Sequence, residues 1–116
     1  LLHSYGGPKE MVDDFAKLGA MLSFSGYFLE DRKAATRDAF AFVPIDRLLI
    51  ETDAPDIPLP EVLVTTTLPS NAGSKRLNHP ANLSVIYPKK PKLRKIDEAI
   101  LRQHVAGNFG DIFSAD

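Results

Sequence analysis

The sequence contains no cysteine. Disulfides, thiolate metal sites and cysteine nucleophiles are therefore excluded. No apolar run approaches the length needed to span a bilayer, so no membrane partner is expected. Excess charge is also lacking: 14 Lys and Arg against 15 Asp and Glu give a formal net charge of -1. Bulk electrostatics do not mark a nucleic-acid binder, and any contact with DNA has to be local. The N-terminus has no basic segment followed by a long apolar stretch, so no export signal is read there. The expected compartment is the cytoplasm, or the nucleus in a eukaryotic host. The sequence has no internal repeat and no low-complexity tract. It also lacks an initiating Met and opens inside an apolar segment, and a fragment of a longer protein is expected from this.

What is present fits one globular domain over residues 1–116, with 44% hydrophobic and 25% charged residues. Residues 1–5 read as a strand stopped by Gly6-Gly7-Pro8. A helix is expected over 8–18, with Met11, Phe15 and Leu18 as its apolar stripe and Gly19 at its end. Residues 20–24 read as a second strand. Asp31 suits an N-cap for a helix over 31–43, which Pro44 stops. Leu48-Leu49-Ile50 is a continuous apolar run, as in a strand covered on both faces, and the third strand is placed at 47–52. Strand, helix, strand, helix, strand with long crossovers is the rhythm of an α/β fold. Residues 57–81 read as a long proline-rich loop whose one strand-like piece is Glu61 to Thr67. Asn82 to Tyr87 begins a helix or turn. Lys89 to Lys95 reads as a basic, solvated connector, and a helix is expected over 95–106 with Phe109, Ile112 and Phe113 packing after it.

Polar residues gather at the carboxyl ends of the three strands, where parallel α/β folds bind ligands. His3 closes the first strand, Ser23 and Ser25 the second, and Glu51-Thr52-Asp53 the third. A His and a carboxylate there could share a metal ion, or act as a base and its orienting partner. On pattern alone each has a plain structural reading too. Asp53 could cap a turn through an Asx interaction. His3 could be a satisfied strand-end residue. Glu51 is expected to pair with Arg47 or face solvent, His79 to lie on the loop surface and His104 to be solvated on the last helix. Gly6-Gly7-Pro8 is not a phosphate loop, because no Gly-Lys-Ser/Thr follows.

Three segments, in order, resemble the TatD-type metal-dependent hydrolases. His3-Ser4-Tyr5-Gly6-Gly7 resembles a strand end of that family. Leu22-Ser23-Phe24-Ser25-Gly26 looks like the strand that follows it. Asp46 to Pro55 is similar to the family's last strand with its Glu-Thr-Asp-Ala-Pro motif. Asn78-His79-Pro80-Ala81-Asn82-Leu83 resembles the Asn-x-Pro segment that opens the final helical region. Asn108, with Phe109 and Phe113, looks like the closing pattern at altered spacing. The resemblance is good to about residue 57 and patchy beyond.

The resemblance implies an amidohydrolase-type TIM barrel, of which this chain would be the last three βα units. It implies divalent-metal-dependent hydrolysis of DNA phosphodiesters, with Mg²⁺ as the first choice and Zn²⁺ or Mn²⁺ as alternatives. It makes His3 the sixth-strand metal ligand. Asp53 becomes the eighth-strand ligand and the catalytic group that takes a proton from the attacking water. The first-strand His-x-His, the fourth-strand Glu and the fifth-strand His have no counterpart here. The isolated chain is therefore expected to be inactive, completed by the missing barrel strands or by self-association. Two alternatives stand beside this: hydrolysis of another ester or amide, and a catalytically inactive interaction module.

Overall fold

A computed structural model describes residues 1–69, 76–89 and 95–114 of the chain. Most of the basic stretch at 89–95 and part of the loop at 57–81 lie outside the described residues.

The architecture is α/β, built on a parallel pair. Strand β1, Leu22–Ser25, pairs with β2, Leu48–Glu51, in the register Leu22↔Leu48 to Ser25↔Glu51. All four β1 residues are buried, as are Leu48, Leu49 and Ile50. Parallel strands need such cover on both faces.

Residues 1–5 do not form a full strand. Only Leu2 pairs, in a parallel bridge to Leu22, donating to Met21 O at 2.7 Å and accepting from Ser23 N. The reason is local. Ser4 takes a left-handed φ of 47°, and its N–H bonds the Ser23 Oγ at 3.0 Å instead of a ladder carbonyl. The segment therefore turns away as soon as it has delivered His3 and Ser4 to the strand ends.

A 3₁₀ turn at Lys9–Met11 leads into helix α1, Val12–Lys17. Its buried face is Val12 and Ala16, with Phe15 packed at the margin. Met11 and Leu18, expected inside, are exposed, Leu18 at 83%. The spacing of four from Val12 to Ala16 sets the inward stripe, and the Gly19 turn (φ 83°) carries Leu18 outward. A second 3₁₀ turn, Asp31–Lys33, precedes helix α2, Ala34–Phe40, which buries Ala39 and Phe40. Asp31 makes no side-chain cap. Phe24, Phe28 and Phe40 meet at centroid distances of 5.1 to 5.8 Å, edge-on or tilted, and knit β1 to α2.

The region after residue 55 holds more structure than its prolines suggest. Glu61–Leu63 is a 3₁₀ turn, and two short strands pair antiparallel: β3, Thr67–Leu68, with β4, Leu77–Asn78. A 3₁₀ turn at Pro80–Asn82 runs into helix α3, Leu83–Ile86. Helix α4, Glu98–Phe113, begins at an Asp97 cap whose Oδ1 accepts from Ala99 N and Ile100 N. It runs seven residues past the expected end at 106, through Gly107 and Gly110. The tertiary contact that overrides their poor helix propensity is Asn108. Its buried amide donates at 2.8 Å to both Ile45 O and Leu48 O, fastening α4 to the start of β2.

Candidate metal centre

The carboxyl ends of β1 and β2 present one polar cluster. His3 Nε2 lies 3.1 Å from Glu51 Oε2 and 3.2 Å from Asp53 Oδ1. Their candidate ligand atoms all fall within 4.8 Å of one another, and this is the one such group among the described residues. The His3 side chain is 65% exposed, Glu51 18% and Asp53 5%. The imidazole is thus reachable from solvent, while the carboxylates are set into the wall.

Each acid is held by a neighbour. Ser4 donates its hydroxyl to Glu51 Oε1, and lies 3.2 Å from Asp53 Oδ1. Ser25 donates to Asp53 Oδ2. The same Ser25 oxygen accepts the Tyr27 N–H at 3.2 Å, which turns its proton toward the carboxylate. Asp53 Oδ2 is therefore occupied, and Oδ1 faces His3.

Asp53 reaches this position through unusual backbone. Its φ is 59°, in the left-handed region that Asp tolerates better than most side chains. A turn follows, with Asp56 N bonded to Asp53 O and a cis Ala54–Pro55 bond. Two buried asparagines clamp that loop. Asn78 donates to Thr52 O at 2.6 Å and Ile57 O at 2.8 Å, and its N–H bonds Pro55 O. Asn82 donates to Asn78 Oδ1 and Thr66 O, and accepts from Thr65 N, Thr65 Oγ1 and Thr66 N. The clamp satisfies every polar atom it buries, so it fixes the backbone on either side of Asp53.

Tyr5 supports the other wall. Its hydroxyl donates to Pro8 O at 2.8 Å, and its ring fills the space that a Cβ on Gly7 would need. Burial, with Glu10 nearby, raises the Tyr5 phenol above its ordinary value.

Of the residues singled out in the sequence, His3 and Asp53 are brought together. Glu51 is not where it was expected. Arg47 turns to Asp46 at 3.7 Å, and Glu51 joins His3. Arg47 ends the 3₁₀ turn Ile45–Arg47 before β2 and Glu51 ends β2 itself, so the length of the strand separates them. The signal was available, since an acid at a strand's carboxyl end points where Asp53 points. His79 stays outside the cluster and caps the Pro80–Asn82 turn, its Nδ1 accepting from Ala81 N at 2.9 Å. His104 is exposed on α4.

Two carboxylates and an imidazole within reach of one point suit a divalent cation, because close acids need positive charge between them. A family model described as TatD related DNase matches residues 1–114. The chain belongs to that family. Among TatD relatives, the 3'-5' ssDNA/RNA exonuclease TatD of Musicola paradisiaca is 31% identical over 114 residues, covering 97% of this chain and 40% of that protein. The metal-dependent hydrolase YcfH of Escherichia coli K12 is 30% identical over 117 residues, covering all of this chain and 40% of that protein. The crystal structure of the TatD homologue YjjV from Escherichia coli K12 superposes with a TM-score of 0.77 at 26% identity, over 98% of this chain and 40% of that one. The chain therefore spans about two fifths of the length of the TatD relatives it matches. No helix among the described residues is long and apolar enough to cross a membrane.

Proposed function

We propose that this chain carries part of the divalent-metal centre of a hydrolase that cleaves DNA phosphodiester bonds. His3 and Asp53 are the metal ligands it contributes, and Glu51 stands close enough to join them. The observation that carries the reading is the meeting of His3 Nε2, Glu51 Oε2 and Asp53 Oδ1 at the carboxyl ends of parallel strands. Relatives bearing the name 3'-5' ssDNA/RNA exonuclease support a nucleic-acid substrate. Mg²⁺ is the first choice of ion, with Zn²⁺ or Mn²⁺ as alternatives.

A bound divalent ion supplies Lewis acidity, acidifying the attacking water and polarising the phosphoryl group. The residues do the rest. His3 presents Nε2 from an exposed position. Asp53 holds Oδ1 toward the shared point while Ser25 restrains Oδ2, and Oδ1 is the oxygen that accepts the proton from the attacking water. Glu51, restrained by Ser4, adds negative charge that raises affinity for a cation.

The chain forms the last three βα units of a (β/α)₈ barrel in this reading. Two features support that. Among the described residues the parallel pair has no further neighbour than the Leu2 bridge, and a groove of about 260 Å³ beside β2 is lined by Leu49, Val105, Phe109 and Phe113. Three strands cannot close a barrel, and three donors leave the ion short of ligands. Other barrel strands, or a second copy, would cover the groove and complete the site, and the chain alone is inactive. The test is to compare metal-loaded complete barrel and isolated chain on single-stranded DNA, small esters and amides. Metal-dependent cleavage of DNA by the complete barrel alone is expected. Cleavage of esters or amides with none of DNA would overturn the substrate assignment.

A further inference from the structure

Just past β1 the chain makes a basic and aromatic patch. The Arg32 guanidinium carbon lies 5.2 Å from the Tyr27 ring centre, and Lys33 Nζ lies 5.1 Å from it. Arg32 also donates to the Tyr27 hydroxyl. Among the described residues, neither cation has a carboxylate within ion-pair distance, although Glu30 and Asp31 precede them in the chain. The turn is held from behind. Arg37, on α2, donates to Phe28 O at 2.7 Å and Glu30 O at 2.5 Å. The two cations are thus gathered on one half-buried ring by a braced turn.

The patch is wired to the metal centre. The Tyr27 N–H bonds Ser25 Oγ, and Ser25 donates to Asp53. Two hydrogen bonds, the first from the Tyr27 backbone, separate this residue from the carboxylate, and the patch follows the carboxyl end of β1, the end of the sheet that carries the metal centre.

We infer that Tyr27, Arg32 and Lys33 form the binding site for the single-stranded nucleic-acid substrate. Arg32 and Lys33 hold backbone phosphate, and an unstacked base lies on the Tyr27–Arg32 surface. The inference rests on the nucleic-acid reading above. Charge complementarity selects a polyanion, because local cations attract phosphate even when the whole chain is nearly neutral. The ring selects a single strand, since bases become free to stack on aromatic or guanidinium planes only outside a duplex.

Fluorescence anisotropy of a labelled single-stranded oligonucleotide tests this, using the complete barrel with metal removed. In Arg32→Glu/Lys33→Glu, affinity should fall at least tenfold. The slope of log K against log salt should flatten by about 1.4, for two phosphate contacts at ~0.7 each. Tyr27→Ala should weaken binding about tenfold while leaving the salt slope unchanged. Lys17→Glu, an exposed side chain on α1 before β1 begins, is the control and should change neither. Thermal melting confirms that each variant is folded, and a fold-damaged Arg32→Glu/Lys33→Glu protein is replaced by Arg32→Gln/Lys33→Gln. Unchanged affinity and slope in the folded charge variant, beside intact DNA cleavage by the wild type, would overturn the patch and leave the hydrolase reading standing. Failure of the metal-loaded wild type to cleave DNA or RNA would instead overturn the nucleic-acid reading on which this inference rests.

Discussion

The Asn82 side-chain amide donates to Asn78 Oδ1 at 2.9 Å, and both residues are buried. Through that bond, a residue almost thirty positions along the chain steadies the turn that carries Asp53. Asn82→Ala removes five hydrogen bonds and takes their partner from the Thr65 and Thr66 backbone and from the buried Asn78 side chain. A loss of about 2–4 kcal/mol is expected in chemical denaturation. Asn82→Asp keeps the acceptor but loses both donors, and it should recover only part of this.

Ser25→Ala frees Asp53 Oδ2 and deletes the acceptor for Tyr27 N. Partners that orient a ligand typically matter ten- to a hundredfold in metal affinity, so a loss of about that size is expected by calorimetric titration with divalent metal. Ser25→Thr retains the hydroxyl and should restore most of it. Equal affinity in wild type and Ser25→Ala would remove the hydroxyl from this role.

Gly26 follows β1 without room for a side chain. A Cβ there would meet Ile86 Cδ1 at 2.7 Å and Leu59 Cγ at 3.1 Å. Gly26→Ala should destabilise the protein by about 1–3 kcal/mol through overpacking. Because Ile86 supplies the closest contact, Gly26→Ala/Ile86→Val should be more stable than Gly26→Ala alone, as read by melting temperature.

Burial pushes the Tyr87 phenol above its ordinary 10.0, and the Arg102 guanidinium 4.1 Å from its ring centre opposes the shift in part. Folding then favours the neutral phenol, so the folded chain holds more protons than the unfolded chain at high pH. Stability from this source is fully present below pH 10 and falls as pH rises through the folded-state value. Tyr87→Phe should flatten that alkaline decline. A decline of unchanged steepness in the variant would show that Tyr87 does not drive it.

Much of this was legible in the sequence because it is local. Leu48-Leu49-Ile50 announces a buried strand, and Asp53 after it marks a strand end. The α/β rhythm follows from such runs. What escaped depends on distant partners. Residues 1–5 look like a strand, yet Ser4 trades its ladder bond for the Ser23 hydroxyl. Glu51 was expected to pair with Arg47 or face solvent because its partner, His3, lies 48 positions away. The helix past Gly107 is stabilised by Asn108 reaching Ile45 and Leu48, which helical periodicity does not record. The asparagine clamp joins Asn78, in the stretch read as a proline-rich loop, to Asn82, where a helix or turn was expected to begin, and composition does not record the bond between them.

The most direct measurement is calorimetric titration of divalent metal into the complete barrel, wild type beside Asp53→Asn. Replacing one carboxylate oxygen by an amide nitrogen leaves the volume nearly unchanged and removes the charge and one acceptor. Weakening of metal affinity by at least tenfold, with the melting temperature of the metal-free protein largely retained, is the expected result. Equal metal affinity in the two proteins would contradict a metal centre at His3 and Asp53.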